Sequence, residues 1–175
     1  MAEDAIMMTV YSAVALCEVI EEMTPLSPKI KWVNDVYIGK KKLAGILTEG
    51  QVLADGSLGY AVVGIGVNVR KREFPPELYE IATDIESECS EKIDIGAFAL
   101  KLSEKLLRFE NAEREEYMEK YRAYSLVIGK RVTVITLSES YLAEVISIDD
   151  SGALTVKNDG GDLIRLFTGE VSIRL

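Results

Sequence analysis

Apolar residues recur at three- and four-residue steps near the start of the chain, at Ile6, Val10, Ala13, Leu16 and Ile20, while Asp4, Glu18, Glu21 and Glu22 fall off that stripe. This period predicts an amphipathic helix over residues 5–20, ended by Pro25-Leu26-Ser27-Pro28. The pattern then changes. Two short extended runs, 30–32 and 36–38, lead through a polar Gly39-Lys40-Lys41-Lys42 turn into a long apolar run over 43–53. Ala54-Asp55-Gly56-Ser57 follows, and Asp-Gly between apolar runs predicts a hairpin. The returning run, 58–69, is dense in Val, Ile and Gly with little alternation, so it is expected in the middle of a sheet with both faces covered.

After an irregular stretch over 74–94, Phe98, Leu102, Leu106 and Phe109 predict a long helix that continues past Tyr117 and Tyr121, where tyrosines at helical spacing read as packing. Beyond about residue 126 the period switches to two, through Val132 and Val134, Ala143 and Val145, Leu154 and Val156, a run over 163–167 and a last one over 171–173. Asp150-Ser151-Gly152 and Asp159-Gly160-Gly161 punctuate these runs. Five short strands in so few residues suggest a small SH3-like β-barrel. A unit of that size buries too little surface to stand alone, and no Pro, Ser or Gly linker precedes it, so it is expected to dock on the rest. The fold class is therefore α+β: a mixed β-sheet packed with helices over residues 1–125, then the barrel over 126–175.

Composition narrows the function. The 175 residues are 48% hydrophobic and 28% charged, which suits a packed globule and excludes disorder as the main state. Twenty Lys and Arg against 29 Asp and Glu leave a net charge of −9, which disfavours nucleic acid and anionic lipid as partners. The absence of histidine excludes Ser-His-Asp and Cys-His catalysis and imidazole metal ligands from this chain. Cys17 and Cys89 form no CxxC pair and read as free thiols of a reducing, cytoplasmic compartment. The apolar segment 5–20 follows Glu3 and Asp4 and is too short to span a bilayer. No metal ligands are nominated, because Asp84, Glu86 and Glu88 read as a solvated acidic face.

The chemistry concentrates between residues 31 and 49. Asn34-Asp35 at a strand break, three lysines in the turn and Gly45 in the next strand can gather an amide, a carboxylate and cations at one sheet edge. Lysines in hairpin turns are also commonly plain surface, and Asn-Asp is a common turn pair. The second cluster, Gly64-Ile65-Gly66-Val67-Asn68-Val69, closes a strand and is no dinucleotide fingerprint. Glycines inside a strand mark a bulge or the close approach of a ligand, and the Asn68 amide can pair with a purine edge.

Together, Lys31-Trp32-Val33-Asn34-Asp35, Lys42-Leu43-Ala44-Gly45-Ile46-Leu47, the Gly64 to Val69 strand and a barrel ending Gly169-Glu170-Val171-Ser172-Ile173-Arg174 closely resemble biotin protein ligases, over about residues 5–175. The resemblance implies a class II synthetase-like catalytic domain followed by an SH3-like domain. It implies ATP and biotin as substrates, with Mg²⁺ accompanying ATP, and a biotin carboxyl carrier domain as protein partner. Biotinyl-5'-AMP forms first, and a carrier lysine then takes the biotin. By the same resemblance Lys42 lies against the biotin carboxylate and the phosphate. Asp35 lies near the incoming lysine, although a structural turn cap explains it nearly as well. Lys31, Asn34, Gly66 and Asn68 fall near the adenylate, and Gly45, Ile46 and Leu47 line the biotin pocket.

Two departures stand out. Val33 replaces the family's usual proline, and the family's Gly-Arg-Gly-Arg-x-Gly-Arg loop, expected ahead of the first helix together with further strands, does not occur in the sequence. The chain thus reads as the C-terminal part of such a ligase, needing an N-terminal ligase half or a homo-oligomer. One alternative is a non-catalytic module that binds a carrier domain or a ligase subunit. Another is an acyl-adenylate enzyme like the lipoate-protein ligases.

Overall fold

The computed structural model describes residues 2–55, 57–136, 139–167 and 170–172. Gly56 of the hairpin turn, and Gly169, Ile173 and Arg174 of the terminal motif, lie outside them. The first helix, α1 (Ala2–Met23), is longer at both ends than its apolar stripe. Val10, Ala13, Leu16, Cys17 and Ile20 are sealed from solvent along it, so it forms the centre of the core. One side of α1 meets an antiparallel sheet of β1 (Pro28–Lys31), β2 (Asp35–Ile38), β3 (Lys41–Val52) and β4 (Leu58–Val67), paired in that order. Ile30, Val36, Ala44 and Ile46 fill the interface, and the Thr9 and Thr48 hydroxyls hydrogen-bond across it at 2.7 Å. Trp32, expected at the end of a strand, sits instead in the turn between β1 and β2.

β4 is not the covered central strand its composition suggests. Among the described residues it is an edge of this sheet, and it alternates between half-buried and exposed positions. Its odd-numbered members Val63, Ile65 and Val67 pack on the core, while Tyr60 and Val62 are each 60% exposed. Glycines at 64 and 66 hide this alternation in the sequence, because a residue without a side chain reads as neither inside nor outside.

The predicted long helix is also interrupted. α2 (Ile85–Cys89) is a short turn, α3 runs over Ile95–Leu106, a 3₁₀ turn covers Phe109–Asn111, and α4 spans Arg114–Tyr124. Ala112 and Glu113 are extended, which redirects the chain so that α3 and α4 both pack on α1. Phe109 and Tyr117 then close on Tyr11, with ring centroids 5.0 and 5.4 Å away in edge-on contacts. Lys105 bridges Glu18 and Glu22 at 2.9 and 2.7 Å, and Lys120 joins Glu18 to Glu116 at 2.9 and 2.8 Å. Hydrogen bonds from Lys105 and Lys101 hold the Glu22 carboxyl well below its ordinary 4.5, at about 2. The tyrosines are structural: Tyr121 is fully buried and donates its hydroxyl proton to the Val33 carbonyl at 2.8 Å.

Five strands complete the chain: β5 (Arg131–Ile135), β6 (Ser140–Ile148), β7 (Leu154–Asn158), β8 (Leu163–Leu166) and β9 (Glu170–Ser172). They form one antiparallel sheet in the order β8-β7-β6-β5-β9 around Val132, Val134, Ala143, Val145, Leu154, Val156 and Val171. This unit docks as its size requires. The Trp32 indole N–H donates to the Gly152 carbonyl at 2.9 Å, and Gly152, at φ +79°, presses against Ile6 and Met7 of α1. Arg122 adds contacts to the Ile148 carbonyl and the Asp150 carboxylate, and Leu126 donates to the Ile30 carbonyl at 2.7 Å.

Candidate functional site

The face of the sheet turned away from α1 carries most of the residues the sequence singles out. Asp35 pairs with Gly45 and Gly45 with Gly66, so the three form one row across β2, β3 and β4. Directly paired residues share a face, so this row presents a carboxylate beside two positions with no side chain. Leu47, 61% exposed, lies two residues further along β3 opposite Gly64. The result is a shallow floor of bare backbone, flanked by the apolar Leu47 and Val62.

Lys42 reaches this floor through a β-bulge. Val36 faces Ala44 while Tyr37 faces Lys42, so Leu43 is an extra residue on β3. Leu43 and Ala44 are both buried, which marks the place where the alternation slips. Without the slip, Lys42 would share a face with Ala44 and Ile46 and point into the core. With it, the Lys42 ammonium sits 2.6 Å from the Asp35 carboxylate on the open face. A Cβ on Gly45 would lie 3.4 Å from Asp35 Oδ1 and from Lys42 Nζ alike, so the ion pair occupies the space that Gly45 leaves empty. The side chain of Asp35 is 18% exposed and that of Lys42 43%. A pair this open to water is worth about 0–1 kcal/mol, so an arriving anion can take over the ammonium at little cost.

The two asparagines lock the ends of this floor. Asn34 donates its side-chain N–H to the Ile46 carbonyl at 2.7 Å, and its own carbonyl accepts from the Ile46 N–H at 2.9 Å. Asn68 donates to the Thr83 carbonyl at 3.1 Å, Thr83 N–H donates to the Lys42 carbonyl at 3.0 Å, and Lys42 N–H donates to the Ile81 carbonyl at 2.8 Å. Residues 81–83 therefore clamp the backbone of Lys42 and tie it to Asn68. Sequence reasoning does not reach this clamp, because Ile81 to Thr83 belong to an irregular stretch without periodicity.

The remaining predicted residues divide. Lys31 is the β1 partner of Asp35, and its ammonium lies 5.9 Å from the centre of the Tyr37 ring. The Ile46 side chain is 2% exposed in the core against α1, so only its backbone reaches the floor's edge. The acidic triplet is a solvated face only in part: Glu88 is exposed and Glu86 partly so, but Asp84 is not. Asp84 is buried and caps α2 by accepting from Ser87 N–H at 2.8 Å, and Glu86 accepts from the N–H groups of Lys71 and Ile93. Glu88 accepts from the Thr83 hydroxyl. No group of three or more His, Cys, Asp or Glu side chains among the described residues is placed to hold a metal ion. Cys17 is buried and Cys89 half-buried, both as free thiols. No helix among the described residues is long and apolar enough to cross a membrane.

Comparison with known proteins finds family matches at both ends of the chain. Residues 2–68 match the biotin/lipoate A/B protein ligase family, and residues 127–174 match the biotin protein ligase C-terminal domain. The bifunctional ligase/repressor BirA of Bacillus subtilis is 32% identical over 176 residues, covering 95% of this chain and 52% of the relative. The biotin–[acetyl-CoA-carboxylase] ligase of Mycobacterium tuberculosis is 31% identical over 152 residues, covering 84% of this chain and 53% of the relative. The chain thus spans about half the length of these curated relatives. The biotin protein ligase of Aquifex aeolicus, in complex with biotin and ATP, superposes with a TM-score of 0.79 at 27% identity, covering 97% of this chain and 71% of that one. With its first 68 residues and its C-terminal sheet both matched, and a known ligase superposing over nearly its full length, the chain belongs to the biotin protein ligase family.

Proposed function

We propose that this chain provides part of an ATP-dependent ligase that joins biotin to a lysine of a biotin carboxyl carrier domain by way of biotinyl-5'-AMP. Residues 1–125 supply catalytic machinery in this reading, and residues 126–175 form the C-terminal domain. The observation that carries it is the Lys42–Asp35 pair, 2.6 Å apart over the vacancy at Gly45. In the first step a biotin carboxylate oxygen attacks the α-phosphorus of ATP and the bond to pyrophosphate breaks. Negative charge grows on the phosphate oxygens, and a compact ammonium leaving Asp35 for those oxygens stabilises it. Such a contact is worth about 2.7–4 kcal/mol when water is excluded. In the second step the carrier amine attacks the acyl carbon, AMP leaves, and Asp35, released from Lys42, accepts the amine proton.

The bare floor at Gly45, Gly64 and Gly66 suits the close approach of an extended adenylate, and Asn34 and Asn68 fix its two ends. Lys31 adds a cation on the same face. Leu47 and Val62 offer apolar cover for the biotin chain. Mg²⁺ would accompany ATP and supply charge neutralisation at its phosphates, and no carboxylate cluster among the described residues is assigned to hold it. The match of residues 127–174 to a biotin-specific C-terminal domain favours biotin over lipoate. The cytoplasm is the proposed compartment, in keeping with two free thiols. The open edge of β4 favours a partner segment that pairs with it, either an N-terminal ligase portion or a second copy.

Biotin-dependent exchange of labelled pyrophosphate into ATP tests the reading, measured with an N-terminal ligase segment added in trans. Exchange is expected, and Lys42→Ala should lower it by about 10²–10³-fold. Exchange that is absent from the reconstituted mixture, or indifferent to Lys42→Ala, would overturn the proposal. Carrier binding without exchange would support a non-catalytic module instead.

A further inference from the structure

Lys42 sits where the sheet supports its backbone least. On one side the bulge interrupts the ladder with β2, and on the other β4 pairs no further than Ala44 with Val67. Residues 81–83 take the place of β4 there, in a parallel bridge of Ala82 with Lys42. The Lys42 N–H donates to the Ile81 carbonyl at 2.8 Å, and the Lys42 carbonyl accepts from Thr83 N–H at 3.0 Å. A segment this short holds its neighbour only as firmly as it is held itself.

Ile81 is exposed and Ala82 half-buried, so neither anchors the segment, whereas Thr83 is buried at 5% exposed. The Thr83 hydroxyl donates to a carboxylate oxygen of Glu88, in the last turn of α2. That helix is itself fixed. Ile85 is sealed in the core, and buried Asp84 caps the helix by accepting from Ser87 N–H at 2.8 Å. The Ile85 and Glu86 N–H groups donate to the Asn68 and Val69 carbonyls at 3.0 and 3.1 Å. Glu88 is exposed, and water satisfies a surface carboxylate unaided, so its bond to Thr83 adds little to the stability of α2. The bond instead carries the rigidity of α2 back to the segment that holds Lys42.

We propose that Thr83 and Glu88 are positioning residues for the adenylation step, setting where the Lys42 ammonium meets the phosphate oxygens while neither touches substrate. The inference rests on the ligase reading and deepens it by tracing control of the reactive cation to a hydrogen bond outside the glycine floor. With the bond made, residues 81–83 hold the Lys42 backbone in one place beside Gly45. With it broken, the segment keeps its turn, in which the Ile81 and Ala82 N–H groups donate to the Leu78 carbonyl, but loses its seat. The Lys42 backbone then shifts, and its ammonium spends less time where charge develops. Such a displacement is felt in turnover more than in substrate affinity.

The test combines pyrophosphate exchange in the reconstituted mixture with amide hydrogen exchange on the chain itself, for wild type, Thr83→Val, Thr83→Ser, Glu88→Ala and Lys42→Ala. Valine matches threonine in shape and leaves Glu88 in water, so Thr83→Val should fold, which the urea midpoint checks. Its kcat should fall about tenfold with the KM for ATP and for biotin changed by less than about twofold, and Thr83→Ser should restore it. Glu88→Ala, at an exposed position, breaks the same bond from the other side and should match Thr83→Val. Combining the two should cost no more than either alone. In the Lys42→Ala background Thr83→Val should have no further effect. The Lys42 and Thr83 amides should exchange about tenfold faster in Thr83→Val, with the Ile46 amide, bonded to the Asn34 carbonyl, unchanged. A wild-type rate in Thr83→Val beside a defect in Lys42→Ala overturns the proposal and leaves the ligase reading standing. An equal loss in the Lys42→Ala background makes Thr83 merely structural and overturns it too, as does unchanged protection of the Lys42 and Thr83 amides. Pyrophosphate exchange absent from wild type, or indifferent to Lys42→Ala, removes the ligase reading and the positioning role with it.

Discussion

Replacing Gly152 by alanine tests how far the crowded turn at Gly152 fixes the C-terminal unit to the rest of the molecule. Gly152 has φ +79°, a region that costs a residue with a side chain about 1–2 kcal/mol. The new methyl would lie 2.8 Å from Ile6 Cγ2 and 3.0 Å from Met7 Cε, closer than non-bonded carbons sit. Overpacking of that kind costs about 1–3 kcal/mol, and the flexible Met7 end yields more readily than the branched Ile6. The combined loss is about 2–5 kcal/mol. The Trp32 hydrogen bond to the Gly152 carbonyl shifts with it, so intrinsic Trp fluorescence reports the same event. Urea unfolding followed by Trp32 emission and by far-ultraviolet circular dichroism supplies the measurement. Wild type should unfold with the two probes coincident. The variant should show a lowered midpoint, with the Trp32 signal changing first if the C-terminal unit detaches before the core. A destabilisation below about 1 kcal/mol with coincident probes would refute the view that close packing at this turn contributes substantially to holding the two parts together.

Two further outcomes follow from the site and from the helix layer. Gly45→Val drives a branched side chain into the space held by the Lys42–Asp35 pair, while its strand position favours a β-branched residue. Pyrophosphate exchange in the reconstituted mixture should fall about 100-fold or more with the urea midpoint little changed, and exchange at the wild-type rate would contradict the site geometry. Glu22 is held near 2 by its hydrogen bonds to Lys105 and Lys101, below its ordinary 4.5. A depressed carboxyl stabilises the fold above its unfolded value and loses that contribution as pH falls through the folded one, so the affected window runs from about 4.5 to about 2. Glu22→Gln should therefore flatten the fall in thermal midpoint across that window and lower the midpoint at neutral pH, and an unchanged acid limb would remove Glu22 from the explanation.

Much of the fold was legible from periodicity. The stripe from Ile6 to Ile20 predicts α1, and alternation after residue 126 predicts five strands, because the apolar positions of each element repeat with its own period. The errors share a cause as well. β4 read as covered because Gly64 and Gly66 contribute no polarity to the exposed face, so the apolar half of the alternation stood alone. The helix after residue 95 read as continuous because Phe109, Tyr117 and Tyr121 keep helical spacing through a break that only the packing around Tyr11 requires. Asp84 read as solvent-facing because charge in sequence carries no information about a cap. The candidate site was legible as a set of residue types, while its assembly was not. The Asn68–Thr83–Lys42 chain of hydrogen bonds passes through an irregular segment that no pattern announces.

Parity along β3 shows how fine that assembly is. Read with a strict period of two, Lys42, Ala44 and Ile46 share one face and Leu43, Gly45 and Leu47 the other. That arrangement would bury an ammonium and expose Leu43. The extra residue at the bulge exchanges the roles on one side only: Leu43 joins Ala44 inside, Lys42 joins Gly45 and Leu47 outside, and Ile46 stays in the core. Burial energetics therefore select the bulge, because a charged amine costs several kcal/mol to desolvate while Leu43 gains about 1.5–3 kcal/mol by entering the core. The same selection fixes the ammonium over Gly45, within reach of Asp35, before any ligand arrives. The placement of the proposed reactive cation is thus a by-product of packing Leu43, and the precision of the site derives from the core beneath it.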